Sequence, residues 1–177
     1  MLSIGENFPD FELTAMVDKS ASDPFKKINN TDIAGKWSCF FFWPMDFTFV
    51  CPTEIAEFGK KEIEFKKLNC DVYGCSTDSE YAHLAWVEQN KMLKDNVSFP
   101  LLADVSKKFC YDLGILTENG VANRVTYLIH PDGIIKFASA TDGKVGRNVD
   151  EVLRVLSALQ SDKLCPCGWQ PGDKTLN

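Results

Sequence analysis

The sequence predicts a single α/β domain, and two patterns support that prediction. Apolar segments of strand length alternate with amphipathic segments of helical length in the order strand, helix, strand, helix, which is typical of α/β proteins. Further along, two alternating segments flank a strong turn signal and predict an antiparallel hairpin. With 177 residues, of which 45% are hydrophobic, the chain is long enough to bury one sizeable core.

The first half of the chain contains the longest predicted strand and helix. Residues 18–30 are polar and predict a loop. Residues 37–43 are nearly all apolar or aromatic and predict an interior strand. A helix is expected from residue 52 to about residue 68, because its apolar residues share one face. These residues are Ile55, Phe58, Phe65 and Leu68.

The second half continues the alternation. The predicted elements are strands at 71–76 and 99–102, a helix from 80 to about 93, strands at 123–130 and 134–140, and a helix from about 148 to 159. The turn sequence His130-Pro131-Asp132-Gly133 joins the last two strands into the hairpin. No internal repeat or second domain is expected.

Charge and composition exclude several classes of function. A net charge of -6 and a pI near 4.9 argue against a nucleic-acid partner, since such binders usually present a basic stripe. The N-terminus lacks a basic segment leading into an apolar one, and the longest apolar run is far shorter than a membrane span. We therefore expect a soluble, cytoplasmic protein with no membrane partner.

The chain has seven cysteines, which cannot all pair within one molecule, and a reducing cytoplasm makes a static disulfide framework unexpected. A structural metal is not expected either, because the one close pair is Cys165 and Cys167 while His83 and His130 stand apart. Four cysteines in strand or helical segments are expected to be small buried hydrophobes. They are Cys39, Cys70, Cys75 and Cys110.

Cys51 is the most informative residue, because it lies where an apolar segment gives way to the start of a helix. Pro52, which follows it, has the backbone angle favoured at the first helical position. The unpaired N–H groups and the positive end of the helix dipole at such a site stabilise a thiolate over a thiol. The sequence therefore predicts a reactive thiolate at Cys51.

The residues before Cys51 suit a peroxide as the electrophile. Thr48 can donate to and accept from peroxide oxygens, and the rigid Pro44 can screen the sulfur from water. Arg124 is the candidate cation that keeps the sulfur ionised and polarises the O–O bond. Taken singly, Thr48 fits a strand end and Arg124 a surface charge equally well, but the combined pattern is stronger.

With these residues the sequence resembles the peroxiredoxins, and among them the typical two-cysteine, alkyl hydroperoxide reductase C group. The resemblance spans nearly the whole chain and consists of ordered motifs. The motifs are residues 41–44, 47–55, 76–80 with His83 and Trp86, 99–104, 146–151 and 164–169. It implies a thioredoxin-like fold, with a central mixed sheet flanked by helices, in a peroxidase domain of residues 1–160. Residues 161–177 are the implied C-terminal tail.

The resemblance also implies an active site and a reaction cycle. Cys51 is then the peroxidatic cysteine, which reduces hydrogen peroxide or organic hydroperoxides and becomes a sulfenic acid. Cys165 is the resolving cysteine, and it forms a disulfide with Cys51 of another subunit. The remaining site residues are Thr48, Pro44 and Arg124, with Glu54 and Arg147 as the pair that orients Arg124. No metal or organic cofactor is implied.

The implied partners are a second copy of the chain and a dithiol reductant. A homodimer is the smallest competent unit, and such dimers assemble into rings. The reductant is thioredoxin, alkyl hydroperoxide reductase F or an alkylhydroperoxidase D type protein. Cys167 is a third redox candidate or a tail thiol with no essential role. Met45 departs from the family pattern, since many relatives carry a lysine there.

Three other functions compete with antioxidant peroxide reduction as interpretations of the sequence. A dithiol oxidoreductase needs a second cysteine three residues after Cys51, where the chain has Glu54. A cysteine hydrolase needs an imidazole close to Cys51, and His83 or His130 would have to supply it. A chaperone or scaffold with redox-switched assembly stays open as an alternative or additional role.

Overall fold

In the computed structural model, which describes residues 1–176, the chain forms a seven-stranded sheet. The strands are β1 Glu12–Met16, β2 Phe25–Asn29, β3 Trp37–Phe42, β4 Cys70–Ser76, β5 Leu101–Ala103, β6 Arg124–Ile129 and β7 Ile135–Thr141. The helices are α1 Asn30–Ile33, α2 Cys51–Lys67, α3 Glu80–Gln89, α4 Lys91–Lys94, α5 Lys108–Asp112 and α6 Val149–Gln160.

The sheet is mixed, with the strand order β2-β1-β5-β4-β3-β6-β7. β3 pairs in parallel with β4, as strands joined by a crossover helix do, and antiparallel with β6. β6 and β7 form the antiparallel hairpin expected from the turn at residues 130–133. The predicted α/β architecture with a central mixed sheet is confirmed.

β3 lies at the centre of the fold and is buried on both faces. Cys39 and Phe41 point into a core shared with α2, α3 and α6, whereas Phe40 and Phe42 point into a core on the opposite face. All four side chains are fully buried. A nearly continuous apolar sequence is what a strand covered on both sides requires, and this explains why the sequence identified β3 clearly.

The loop predicted for residues 18–30 is wrong in its second half. Residues 25–29 form β2, which pairs antiparallel with β1, a strand that the sequence analysis did not predict. β2 is an edge strand, and Lys26 and Lys27 are exposed on it. Lysines on an edge strand prevent pairing with other chains, and the same lysines make the segment resemble a polar loop.

The helix predicted from residue 80 to about residue 93 is interrupted. Asn90 has extended backbone angles, and its side chain accepts a hydrogen bond from the Met92 N–H at 2.9 Å. It therefore ends α3 and caps α4, because an Asn side chain competes with the backbone for helix hydrogen bonds. The strand predicted at 99–102 begins later, at Leu101. The long helices α2 and α6 agree with prediction within a residue or two.

The tail after α6 folds back on that helix through turns. Arg154 on α6 donates a hydrogen bond to the Trp169 carbonyl at 3.0 Å, and the Leu176 N–H donates to the Leu164 carbonyl at 2.9 Å. Trp169 is largely buried as a result. Asn177, the last residue of the predicted tail, lies outside the described residues. Within residues 1–176, the helices are too short or too polar to cross a membrane.

Gly59 should be required in the middle of α2. A Cβ atom at this position would overlap the main-chain carbonyl of Asn96, which packs directly on the helix. Because backbone cannot move aside as a flexible side chain can, Gly59→Ala should lower the free energy of unfolding by about 2 kcal/mol. Urea denaturation would measure this change.

Gly143→Ala is the matched control, since a Cβ atom there would meet open space and the residue has no positive φ. If Gly59→Ala unfolds at the same urea concentration as Gly143→Ala, the close approach of Asn96 does not constrain the helix.

Candidate active site

Cys51 is the first residue of α2, at the junction that the sequence analysis singled out. Its side chain is 2% exposed, and the preceding Val50 provides no side-chain cap for the helix. The first N–H groups of a helix have no partner within the helix. The sulfur therefore lies beside the positive end of a 17-residue helix, where a negative charge is stabilised.

Arg124 supplies a second positive charge at the sulfur. It is the first residue of β6, and both terminal nitrogens of its guanidinium lie 3.7 Å from Cys51 Sγ. One of these nitrogens also donates to the Gly143 carbonyl at 2.8 Å. Although residues 51 and 124 are far apart in sequence, the antiparallel pairing of β6 with β3 brings them together.

Glu54 fixes the orientation of Arg124. It lies one helical turn after Cys51. Its Oε2 accepts a hydrogen bond from the Arg124 guanidinium and forms an ion pair with it. Its other oxygen accepts the backbone N–H of Arg147 at 2.9 Å. The carboxylate thus joins the start of α2 to β6 and to the loop before α6.

Arg147 is the second buried guanidinium of the site. Its Nη1 lies 3.7 Å from Glu54 Oε2, and its other terminal nitrogen, Nη2, donates to the carbonyls of Phe42 and Val125. Its guanidinium also stacks over the Phe41 ring at 5.3 Å. Burial lowers the pKa of Arg147 to about 10, while the Glu54 carboxylate opposes that shift.

The charges in this cluster do not balance without the sulfur. Two guanidinium groups surround one carboxylate, and all three side chains are at least 95% buried. An additional negative charge at Cys51 would neutralise the excess positive charge. The sulfur thus lies in a positively charged environment, where unpaired charge away from water is costly.

Thr48 and Pro44 lie in the loop between β3 and α2. The Thr48 hydroxyl donates to the Met45 carbonyl at 2.9 Å, so its oxygen lone pairs are left to accept from another donor. Pro44 and Thr48 are half-buried, and Met45 is exposed. The structure thus places both residues in the loop that leads into Cys51, while the direct contacts to the sulfur come from Arg124.

The two tail cysteines lie apart from the Cys51 cluster. Cys165 is half-buried with its sulfur 3.5 Å from the Ser161 hydroxyl, and Cys167 is exposed. Both line a surface cavity of about 800 Å³ beside α6. The seven cysteines, all within the described residues, carry free thiols.

The other four cysteines are buried in the core, as predicted. Burial raises the pKa of Cys39 to about 12, and it also raises the pKa values of Cys70 and Cys75. The thiols of Cys39, Cys70 and Cys75 therefore stay protonated and unreactive at neutral pH. The structure therefore distinguishes Cys51, which is buried among cations, from cysteines that are buried among apolar groups.

A polar network next to this site was not predicted from the sequence. The Nδ1 atom of His83 on α3 lies 2.7 Å from Asp46 Oδ2. Asp46 also accepts from the Trp43 indole N–H at 2.8 Å. An Asp within an aromatic segment was the one signal that the sequence offered for it.

A thiol at a strand-to-helix junction, clamped by a buried arginine and carboxylate on a mixed sheet, defines a thiol-based redox enzyme of thioredoxin-like fold. Residues 4–138 match the model of the AhpC/TSA family. The chain belongs to this family, as the sequence motifs predicted.

Curated relatives cover almost the full chain. The chain is 48% identical to alkyl hydroperoxide reductase C of Mycobacterium tuberculosis, over 100% of this chain and 94% of that protein. It is 42% identical to peroxiredoxin-2 of Bos taurus, over 98% of this chain and 88% of that protein. The protein is accordingly a peroxiredoxin, a thiol-dependent peroxidase.

Solved structures agree with this assignment. AhpC of Mycobacterium tuberculosis superposes with a TM-score of 0.88 at 47% identity, over 96% of this chain and 99% of that chain. The reduced two-cysteine peroxiredoxin of Plasmodium vivax superposes with a TM-score of 0.90 at 33% identity, over 99% of this chain and 93% of that chain. The predicted thioredoxin-like fold is confirmed.

Replacement of Glu54 by Gln should destabilise the protein, since two buried guanidinium groups would lose their carboxylate. We expect the free energy of unfolding to fall by about 3 kcal/mol, as when one partner of a buried ion pair is removed. Glu57→Gln on the same helix is the control, because Glu57 pairs with Lys60 at the surface. Equal unfolding midpoints for the two variants would contradict a structural role for the clamp.

Proposed function

We propose that this peroxidase reduces hydrogen peroxide and organic hydroperoxides at Cys51 and completes its cycle through a disulfide between Cys51 and Cys165 of two subunits. The observation that carries the proposal is the pair of 3.7 Å contacts from Arg124 to Cys51 Sγ inside a buried, positively charged cluster. The biological role that follows is antioxidant defence.

The first chemical step uses groups already at the site. The Cys51 thiolate attacks the terminal peroxide oxygen, a sulfur–oxygen bond forms, and the O–O bond breaks. The sulfur is oxidised to a sulfenic acid, and the leaving oxygen takes a proton to give water or an alcohol. Arg124 stabilises the negative charge that moves onto the leaving oxygen.

Two features support binding of the peroxide oxygens. The Nε–H of Arg124 is buried and has no hydrogen-bond partner within residues 1–176, so it is an unused donor in the site. The Thr48 oxygen keeps lone pairs that accept a hydrogen bond from a hydroperoxide O–H. We assign Thr48 to that role and Pro44 to the exclusion of water from the sulfur.

The second step joins two cysteines that lie apart in the described structure. Cys51 is covered at the start of α2, and Cys165 lies in the tail beside α6. We propose that the start of α2 and its loop open locally, after which the Cys165 thiol attacks the sulfenic sulfur and releases water. Loss of the thiolate charge favours this opening, because the neutral sulfenic acid no longer offsets the one positive charge that Glu54 leaves unbalanced between Arg124 and Arg147.

The disulfide formed in this step must be reduced by a partner protein before the next cycle. A dithiol protein of the thioredoxin, alkyl hydroperoxide reductase F or alkylhydroperoxidase D type then reduces the disulfide. We assign Cys167, exposed two residues after Cys165, as an accessible thiol for exchange with that reductant. A cytoplasmic location is proposed as well, since a reducing compartment returns Cys51 to its thiol form.

A homodimer is the smallest unit that supplies Cys165 to Cys51 of another chain, and we propose that dimers assemble further into rings. Apolar side chains at the active-site loop support association of copies. Phe49 is 93% exposed and Phe47 is 56% exposed, which is unusual for large apolar side chains on a monomer surface.

Single-turnover oxidation tests the two-cysteine cycle. One equivalent of hydrogen peroxide should convert the reduced protein to a disulfide-linked dimer on a non-reducing gel, with a Cys51–Cys165 peptide in its mass spectrum. Cys51→Ser should consume no peroxide above the background rate. Cys165→Ser should consume one equivalent and stop at the sulfenic acid. A disulfide that forms equally fast in Cys51→Ser would overturn the assignment.

Arg124→Lys tests how the peroxide is activated. A lysine cannot contact Glu54, the Gly143 carbonyl and the sulfur at once, because it lacks the planar fork of arginine. We expect the rate constant for reaction with peroxide to fall by about 100-fold, comparable to the loss of one preorganised donor. Arg154→Lys is the control, since Arg154 lies on α6 beside the tail. Retention of the parental rate by Arg124→Lys would remove Arg124 from the mechanism.

A further inference from the structure

A buried polar network holds the loop that carries Thr48. Asp46, in the middle of this loop, is 4% exposed, and His83 on α3 is fully buried. Asp46 Oδ1 accepts from the Trp43 indole N–H at 2.8 Å, and Asp46 Oδ2 lies 2.7 Å from His83 Nδ1. The second ring nitrogen of His83 lies 3.1 Å from the Leu102 carbonyl.

These contacts fix where protons lie. The Leu102 carbonyl only accepts, so His83 Nε2 carries a hydrogen, and one further hydrogen lies between Nδ1 and the Asp46 carboxyl group. Asp46 and His83 together therefore hold no net charge. Burial raises the pKa of Asp46, which is consistent with a proton retained by the pair.

The main chain of Asp46 is also anchored. Its N–H donates to Asp78 Oδ2 at 3.0 Å, and the same oxygen accepts from the Ser76 hydroxyl at 2.7 Å. Asp46 thus connects the loop before Cys51 to the end of β4 and to α3 through both its backbone and its side chain.

The next residue is in a conformation that requires such an anchor. Phe47 has a φ of +57°, in the left-handed region that bulky residues rarely adopt. Its ring lies 5.9 Å from that of Trp86, but the side chain is mostly exposed. The strained backbone at Phe47 would relax if the loop left the surface, so the contacts of Asp46 oppose that release.

We propose that Asp46 and His83 are positioning residues that hold the Thr48 loop closed over Cys51, and so set the balance between peroxide reduction and disulfide formation. The closed loop places Thr48 at the sulfur for the peroxide step. The open loop exposes Cys51 to Cys165 for the resolving step. This inference rests on the two-cysteine cycle proposed above.

Asp46→Ala tests the balance, because it removes the contacts to Trp43 and His83. The rate constant of reduced Cys51 with hydrogen peroxide should fall by about tenfold, whereas the rate of Cys51–Cys165 disulfide formation should rise by about tenfold, as expected for the net loss of about one hydrogen bond from the closed loop. The two rates are measured separately, by competition with a reporter peroxidase and by quenched-flow gels.

Asp46→Asn provides the conservative rescue. The amide oxygen still accepts from the Trp43 N–H, and the amide N–H donates to a neutral His83 that keeps its hydrogen on Nε2. Both rate constants should stay within about twofold of the parent, since all three hydrogen bonds persist. His130→Gln is the matched histidine control, because His130 pairs with Asp132 at the surface.

The double variant Asp46→Ala, His83→Leu covers the case in which Asp46→Ala alone fails to fold. It leaves no buried charge and no imidazole without its partner, and the Trp43 indole N–H loses its acceptor just as in Asp46→Ala, so the loop is released in the same way. Opposite changes in the two rate constants support the proposal. Unchanged rates, or rates that fall together, overturn it. If the parent protein forms no disulfide with peroxide, the two-cysteine cycle itself fails and the parent alone reveals this.

Discussion

The site depends on one carboxylate. Glu54 contacts Arg124 through one oxygen and the Arg147 backbone through the other, and so it ties together the start of α2, β6 and the loop before α6. Without it, two buried guanidinium groups would repel each other. With it, the cluster retains one excess positive charge, which the Cys51 sulfur is placed to neutralise. The packing of three separate elements and the charge around the thiol therefore both depend on the Glu54 carboxylate.

Local patterns predicted much of this arrangement. The junction at Cys51 could be recognised because an apolar strand and a helix start are both encoded by residues adjacent in sequence. Arg124 was identified from its chemical role, and its 3.7 Å contacts to the sulfur arise from the pairing of β6 with β3. Gly143 could not have been predicted, since its contribution is a main-chain carbonyl that any residue would provide.

The errors have equally specific causes. β2 was missed because lysines on an edge strand resemble a loop, and pairing with β1 supplies the order that local preference does not. Asp46 was missed because its partner His83 is far away in sequence, and no spacing rule connects a loop carboxylate to a histidine on α3. The Asp46–His83 contact therefore could not be predicted from local sequence patterns.

The buried thiols limit how far the active site can open. Cys39 belongs to the same apolar core as Cys51 and lies in the middle of β3, the strand that leads into the loop before Cys51. Because this enzyme reacts with oxidants, the Cys39 thiol escapes oxidation only while it stays protonated and excluded from water. An opening limited to the first turn of α2 would expose only the Cys51 sulfur. A wider opening would also let oxidant reach the Cys39 sulfur. A small opening at the active site therefore protects the core of this protein from oxidation.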